Sequence, residues 1–353
     1  MKILFITPYP KAQAPSQRFR FEQYFRALEE QQIYYDFAPF LSLKAWLVIY
    51  NQGSTLKKVS SVLTGYLRRF SLLFSLKQYD FIFIHREATP VGPPLFEWLI
   101  AKLLRKKIIY DFDDAIWLSN TSDQNKIVAR LKWHHKVKAI CEWSYKVSCG
   151  NQYLADYALQ WNKDVIVNPT TIDLTYQENR LKEFSSKEKI TIGWTGSHST
   201  LKYLEYLEEA LVEIVNKSVE LVVISNQPPT LSFPYRFIKW SKETEVSDLL
   251  QFDIGIMPLV EDEWSSGKCG FKILQYMSLG IPAVASPVGV NKIMIRETKN
   301  GLLASSKEEW QQKLQLLIED QTLRDSMGRE GYRFVKSHYS TEANTKNFLS
   351  LFH

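Results

Sequence analysis

Lys268 lies within, and Lys272 two residues beyond, a turn, GKCG at 267–270, that runs directly into an apolar amphipathic stretch over 271–279. Gly267 and Gly270 leave backbone N–H groups uncrowded, a helix starting at Phe271 aims its partial positive end at the turn, and the two lysines add charge. That combination is suited to holding a diphosphate. Gly280 ends the helix, and Pro282 opens a short buried strand, AVAS at 283–286. Cys269 lies inside the turn, where a small residue packs beneath a ligand.

A second glycine-bearing exit lies upstream. In GWTGSHSTLK at 193–202 a strand leaves through Gly193 and Gly196 and enters a helix capped by Ser197 or Ser199, with Lys202 in reach of phosphates. The segment 237–250, expected to follow a strand, offers Trp240 to a nucleotide base or to the core. Three acidic residues, Glu261, Asp262 and Glu263, read as a solvated loop or as a spare carboxylate.

The elements that would position these residues are short apolar runs separated by helical stretches. KILFIT, DFIFIH, IIYDF and VIVN begin at 2, 80, 108 and 165; ITIGW, ELVVIS, DIGIMPL and PAVAS begin at 190, 220, 253 and 282. Such alternation predicts parallel sheets with crossover helices, and the polar interval at 178–189 separates two of them. The expected organisation is α/β: two doubly wound Rossmann-like domains, residues 1–172 and 188–338, with a final helix, 339–353, crossing back to the first. Ligands of open parallel sheets bind beyond the carboxyl ends of the strands, so a cleft shared by the two domains would carry the chemistry. Ser16, Arg18 and Arg20, His85 and Arg86, and Asp113 and Asp114 all follow predicted strands of the first domain. The arginines are suited to an anionic ligand, and the aspartates to orienting a hydroxyl or fixing a loop.

The order of the segments QFDIGIMPL at 251–259, Trp264, GKCGFK at 267–272, QYMSLGIPAVASPVG at 275–289 and NGLLA at 300–304 resembles that of family 4, or group 1, glycosyltransferases. The resemblance extends over most of the chain and is most specific in its C-terminal half. It implies the GT-B fold and transfer from a nucleotide-diphospho-sugar with retention of configuration and without metal. It implies donor contacts at Gly196, Ser197, Lys202, Trp240, Lys268, Cys269, Gly270, Phe271 and Gln275, and acceptor contacts at Ser16, Arg18, Arg20, His85 and Arg86. Asp113, Asp114 and Lys272 are the catalytic candidates. The acceptor would be a glycan, a lipid-linked group or a similar molecule in cell-surface polysaccharide or glycoconjugate synthesis.

This chain departs from the family pattern at two points. The usual pair of glutamates eight positions apart is replaced by Gly267 and Gln275, so only an amide remains to meet a ribose diol. The usual arginine after the second glycine of the upstream exit is Ser197, while the lysine five positions later survives as Lys202. An Asp-x-Asp metal site at Asp113 and Asp114 would belong to the other main glycosyltransferase fold, a single-domain enzyme lacking the phosphate-binding helix. A dinucleotide-dependent dehydrogenase would need Gly-x-Gly-x-x-Gly after the first strand, and residues 7–17 contain no glycine, which argues against it. A nucleotide-sugar epimerase and a non-catalytic nucleotide or carbohydrate binder share the architecture and stay as alternatives.

A chain of 353 residues, 45% apolar and 14% aromatic, excludes a disordered protein. It contains no apolar run of membrane-spanning length and no signal-peptide core at its start, which places the expected protein in the cytoplasm. Three cysteines without metal-ligand spacing are expected as reduced thiols. Residues 1–175 hold 23 Lys and Arg against 15 Asp and Glu, net +8, and the rest of the chain is net −2. Around the apolar segment 59–74 stand Lys57, Lys58, Arg68, Arg69 and Lys77, a pattern for peripheral contact with an anionic membrane through 57–77, or for a core helix with solvated ends. Nucleic acid is not an expected partner, since no binding motif accompanies the basic residues.

Overall fold

The computed structural model describes residues 1–49, 53, 55–119, 133–175, 180–184 and 189–353. These fall into two units, Met1–Thr170 with Asn344–His353, and Thr171–Ala343. In the first unit, strands β1 (Lys2–Thr7), β2 (Tyr34–Pro39), β3 (Phe81–His85), β4 (Lys107–Phe112), β5 (Lys146–Cys149) and β6 (Val165–Val167) form a parallel sheet in the order β2-β1-β3-β4-β5-β6. In the second, β7 (Ile190–Gly196), β8 (Val219–Ser225), β9 (Arg236–Lys239), β10 (Ile254–Met257), β11 (Ala283–Ala285) and β12 (Gly301–Leu303) run in the order β12-β11-β10-β7-β8-β9, again all parallel. This is the two-Rossmann α/β class that the alternating runs predict.

Apart from the edge strand β6, the strands read from sequence are inner ones, whose continuously apolar pattern fits cover on both faces, and β3 and β10 are buried along their whole length; the inner strand β5 has no such signal. The strands not foreseen are β2, β5, β9 and β12. β2 and β9 lie at sheet edges, have exposed or half-buried residues, and carry charge at Asp36 and at Arg236 and Lys239. Phe237, Ile238 and Lys239, expected to follow a strand, lie within β9.

The first unit's core includes Ile3, Phe5, Phe21, Phe83 and Ile109 together with Phe348, Leu351 and Phe352 from the chain's end. Tyr24 stacks on Phe348 with ring centroids 4.3 Å apart and planes at 8°. Burying three large apolar side chains at roughly 1.5–3 kcal/mol each is what holds the last ten residues in the first unit. A 19-residue helix, Thr55–Leu73, covers the stretch expected to be apolar and basic. Among the described residues no helix is long and apolar enough to cross a membrane. Cys141, Cys149 and Cys269 are all buried free thiols.

Candidate functional site

In the second sheet the strand order reverses between β7 and β10, so the connections leaving their carboxyl ends diverge, the place where open parallel sheets take ligands. Tyr276 fixes this point from below: its hydroxyl donates to the Ile256 carbonyl at 3.2 Å and accepts the Thr195 N–H at 3.1 Å. Burial pushes its phenol well above the usual range.

The exit from β7 is the segment Gly196–Thr200. Ser197 stands at the start of a single 3-10 turn, His198–Thr200, but its hydroxyl bonds to Ser199 Oγ at 2.8 Å and caps no backbone amide. The expected hydroxyl cap is therefore corrected: the turn is held by the Ser197 carbonyl, which accepts from Thr200 N and Thr200 Oγ1 at 2.9 Å each, and by Asn226 Oδ1, which accepts from His198 N at 2.8 Å. Lys202 is exposed, with Nζ 5.0 Å from the centroid of the Tyr203 ring.

On the β10 side, Asp262 caps a four-residue helix, Glu263–Ser266, accepting from Ser265 N at 2.6 Å. The carbonyls at that helix's end claim two of the amides expected to face a ligand: Gly267 N donates to Trp264 O at 3.1 Å and Lys268 N to Ser265 O at 3.0 Å. Those two amides are therefore committed within the protein. Glu261 pairs with Lys292 at 3.5 Å, so Glu261 and Asp262 both have structural partners. Cys269 is buried with Sγ 3.9 Å from the Gly267 carbonyl.

Gly270 precedes the helix Phe271–Ser278 at φ +67°, and a Cβ there would overlap Met294 Sδ. Only glycine combines that left-handed conformation with that contact. Gly270→Ala should lower stability by about 2 kcal/mol and displace the first turn of the helix, read as a lower denaturation midpoint with an unchanged denaturant slope.

Two turns of chain far apart in sequence meet on one ring. Trp194, almost wholly buried, lies against Gly196, where a Cβ would overlap it, and Lys272 Nζ stands 5.3 Å from the centroid of the same ring. Lys272, from the first turn of the helix, is thereby fixed beside the exit of β7. Lys268 Nζ lies 4.9 Å from the Trp264 ring, and Tyr203 Oη meets Ser265 Oγ at 3.1 Å, tying the two walls together. Phe271 is half-buried at the helix start.

A carboxylate that the sequence did not disclose completes this wall. Glu245 is buried, and its Oε1 accepts from Trp240 Nε1 at 3.1 Å and from Gln275 Nε2 at 3.3 Å. Trp240 and Gln275, read separately as base and ribose contacts, are joined through it. Nothing in KETEV distinguishes Glu245 from Glu243 beside it, and only the fold of the helix Glu245–Leu249 turns one inward and leaves the other exposed.

Of the first-unit candidates, Arg20, His85, Arg86, Asp113 and Asp114 lie at the carboxyl ends of β3 and β4. Arg20, expected to meet an anionic ligand, is instead wholly buried, and this is a correction: its fork is spent on Asp111, on Ser148 Oγ at 3.3 Å and on the Asn168 carbonyl. Asp111 also accepts from Ser148 Oγ at 2.6 Å and meets His85 Nδ1 at 2.8 Å. Burial alone would raise the Asp111 carboxyl, but the Arg20 guanidinium and the His85 ring outweigh it and hold it well below the usual carboxylate range. His85 Nε2 is buried without a hydrogen-bond partner among the described residues.

Arg86, at φ +59°, directs Nε to Asp113 Oδ1 at 2.9 Å and a terminal nitrogen to Asp114 Oδ2 at 2.6 Å. The two catalytic-candidate aspartates therefore face a guanidinium. Ser16 is half-buried in the short helix Pro15–Arg18, and Arg18 is buried with its guanidinium 4.8 Å from the Phe19 ring. The sequence signals for Arg20 and Asp111 were their types alone; their pairing spans 91 positions.

Residues 189–320 match the family model described as glycosyl transferases, group 1. No curated protein sequence matches the chain. Among solved structures, sucrose-phosphate synthase from Thermosynechococcus elongatus is similar at a TM-score of 0.74 and 15% identity, covering 99% of this chain and 98% of that one. Anabaena Alr3699/HepE in complex with UDP and glucose superposes at 0.66 with 14% identity, and the catalytic domain of starch synthase IV from Arabidopsis thaliana, bound to ADP and acarbose, at 0.66 with 9%; each comparison covers 99% of this chain and 98% of the other. At these identities the structural likeness establishes the fold, which is GT-B.

Proposed function

We infer from the group 1 glycosyl transferase domain at residues 189–320 that the protein is a glycosyltransferase, and we propose that it takes its sugar from a nucleoside-diphospho-sugar held where the connections from β7 and β10 diverge. The observation that carries the donor assignment is the shared Trp194 ring, which fixes Lys272 beside Gly196. Lys268, Lys272 and the start of the helix Phe271–Ser278 would meet the diphosphate, with Ser197 and Lys202 at its flank. Trp240 and Gln275, both bonded to Glu245, would receive the base and ribose. HepE and starch synthase IV, whose structures hold UDP and ADP, support a nucleoside diphosphate as the ligand.

As the glycosidic bond of the donor breaks, negative charge grows on the departing diphosphate. Fixed cations and a helix N-terminus lower that barrier because their stabilisation is larger in the transition state than in the ground state. On this reading no metal is required, and the family resemblance favours retention at the anomeric carbon. The acceptor, a glycan or lipid-linked hydroxyl, would use Ser16, Arg18, His85 and the Arg86–Asp113–Asp114 cluster of the first unit, with His85 Nε2 as an acceptor of its proton or hydrogen bond.

The test is a thermal-shift titration of the protein with UDP, GDP, ADP, dTDP and CMP in the absence of metal. One nucleoside diphosphate should stabilise by about 2.7 kcal/mol at a hundredfold excess over its Kd, a rise of several degrees, and Lys272→Ala should abolish most of it. No response to any of them would overturn the donor assignment.

A further inference from the structure

Six apolar side chains on and just beyond one helix are exposed, one of them, Phe70, also meeting the Phe96 ring edge-on at 4.9 Å. On the helix Thr55–Leu73 and the residue after it, Leu56, Val59, Leu63, Leu67, Phe70 and Phe74 recur every three or four positions, which places them on one line about 27 Å long. All are exposed, Leu56 at 86% and Phe74 at 89% of their full surface. An amphipathic helix normally buries this face.

The helix is nevertheless firmly placed by its opposite side. Arg69 is buried and spends its guanidinium on three carbonyls, those of Ala88, Ala38 and Thr7, at 2.7, 2.9 and 2.8 Å. Gly65 lies so close to the Phe40 ring that a Cβ would overlap it, and Tyr66 Oη donates to the Val91 carbonyl at 2.6 Å. These anchors fix which face looks outward.

Charge accompanies the stripe. From 37 to 79 the chain carries six basic residues, Lys44, Lys57, Lys58, Arg68, Arg69 and Lys77, and no acidic one. Beside the stripe lies a groove of about 430 Å3 whose lining mixes Lys44, Lys57, Arg68 and hydroxyls with apolar Ala45, Val48 and the stripe's own Leu56. Cations and hydroxyls converging there can receive a phosphate, and the apolar line next to it can enter hydrocarbon.

We propose that this face docks on an anionic phospholipid bilayer, with the stripe in the headgroup boundary and lipid phosphates at the Lys44–Lys57–Arg68 groove. A second copy of the chain is a poorer occupant, since an isologous contact would set this basic rim against itself with no carboxylate between 37 and 79 to offset it. A bilayer of anionic lipid supplies both the apolar layer and the opposite charge. The proposal is independent of the donor site, which lies in the other unit.

Co-sedimentation with vesicles of phosphatidylglycerol and phosphatidylcholine, against phosphatidylcholine alone, tests it. Partitioning should favour the anionic vesicles by at least about tenfold and fall as salt rises from about 0.1 to about 1 M, where the screening length shrinks from roughly 10 to roughly 3 Å. Leu63→Glu/Leu67→Glu and Lys57→Glu/Arg68→Glu should each weaken partitioning by about tenfold or more while keeping the helical circular dichroism and the nucleoside diphosphate thermal shift. Inorganic phosphate alone, at matched ionic strength, should compete weakly. Equal binding to neutral vesicles, no binding to either, or full binding by either variant would overturn the proposal. So would a concentration-dependent dimer that Leu63→Glu/Leu67→Glu dissolves, which would assign the face to a second copy.

Discussion

Arg20→Met should destabilise the first unit by about 3–5 kcal/mol and lower its melting temperature by roughly 10 °C, because the variant leaves Asp111 buried with its guanidinium partner gone and only His85 and Ser148 remaining. The methionine keeps the length of the stem, so the loss measures the guanidinium rather than a cavity. Arg20 alone reaches Asp111, Ser148 and the Asn168 carbonyl from one planar fork, and Arg20→Lys, a point charge, should recover only part of the loss. The pH dependence has a definite sign. The folded carboxyl of Asp111 is held below its unfolded value, so its contribution is fully present above the ordinary carboxylate range, near 3.9, and is lost as pH falls through the folded value. In Arg20→Met that carboxyl rises, protonation relieves the buried charge, and the gap between variant and parent should narrow as pH drops from 7 toward about 4. Denaturant melts of both proteins across that range measure it. A gap that is small or independent of pH would show that the Arg20–Asp111 pair contributes little to folding.

The same pair marks where the sequence stops being readable. Central strands such as FIFIH and IGIM announce themselves because burial on both faces makes them apolar at every position, and GKCG announces a helix start because Gly270 is demanded by its own backbone angle. Those signals are local. The choice of partner for a charged side chain is not: Arg20 follows a short helix and Arg86 a strand, and nothing in either neighbourhood tells that one is buried against Asp111 and the other is forked between Asp113 and Asp114. Edge strands β2 and β9 were illegible for a related reason, since their pairing comes from a neighbour's register rather than from their own pattern. Glu245 shows the limit most clearly. Its inward turn depends on Trp240 and Gln275 arriving from two other segments, and no property of its neighbours in the chain encodes that. Conversely, two amides of the 267–270 turn looked available only because the capping by Asp262, and the short helix it starts, were not foreseen.

Lys272→Ala should cut turnover by about two orders of magnitude without unfolding the protein. On the proposed mechanism Lys272 meets a phosphate whose charge increases as the sugar departs, and losing one such preorganised group costs about 2.7–4 kcal/mol of transition-state stabilisation. The ground-state diphosphate already carries charge, so binding should weaken as well, but less than kcat falls. The structural cost is smaller: the ammonium over the Trp194 ring contributes about 0.5–1 kcal/mol, a few degrees at most in melting temperature. Lys272→Arg keeps the charge and its contact with the ring and should retain more activity than alanine. The decisive comparison is kcat against the Kd for the nucleoside diphosphate, measured on variants whose melting curves match the parent. A folded Lys272→Ala with near-normal kcat would remove Lys272 from the reaction and leave its place over Trp194 as packing. A loss confined to Kd would instead make it a binding residue, with the developing charge met by Lys268 and the helix start.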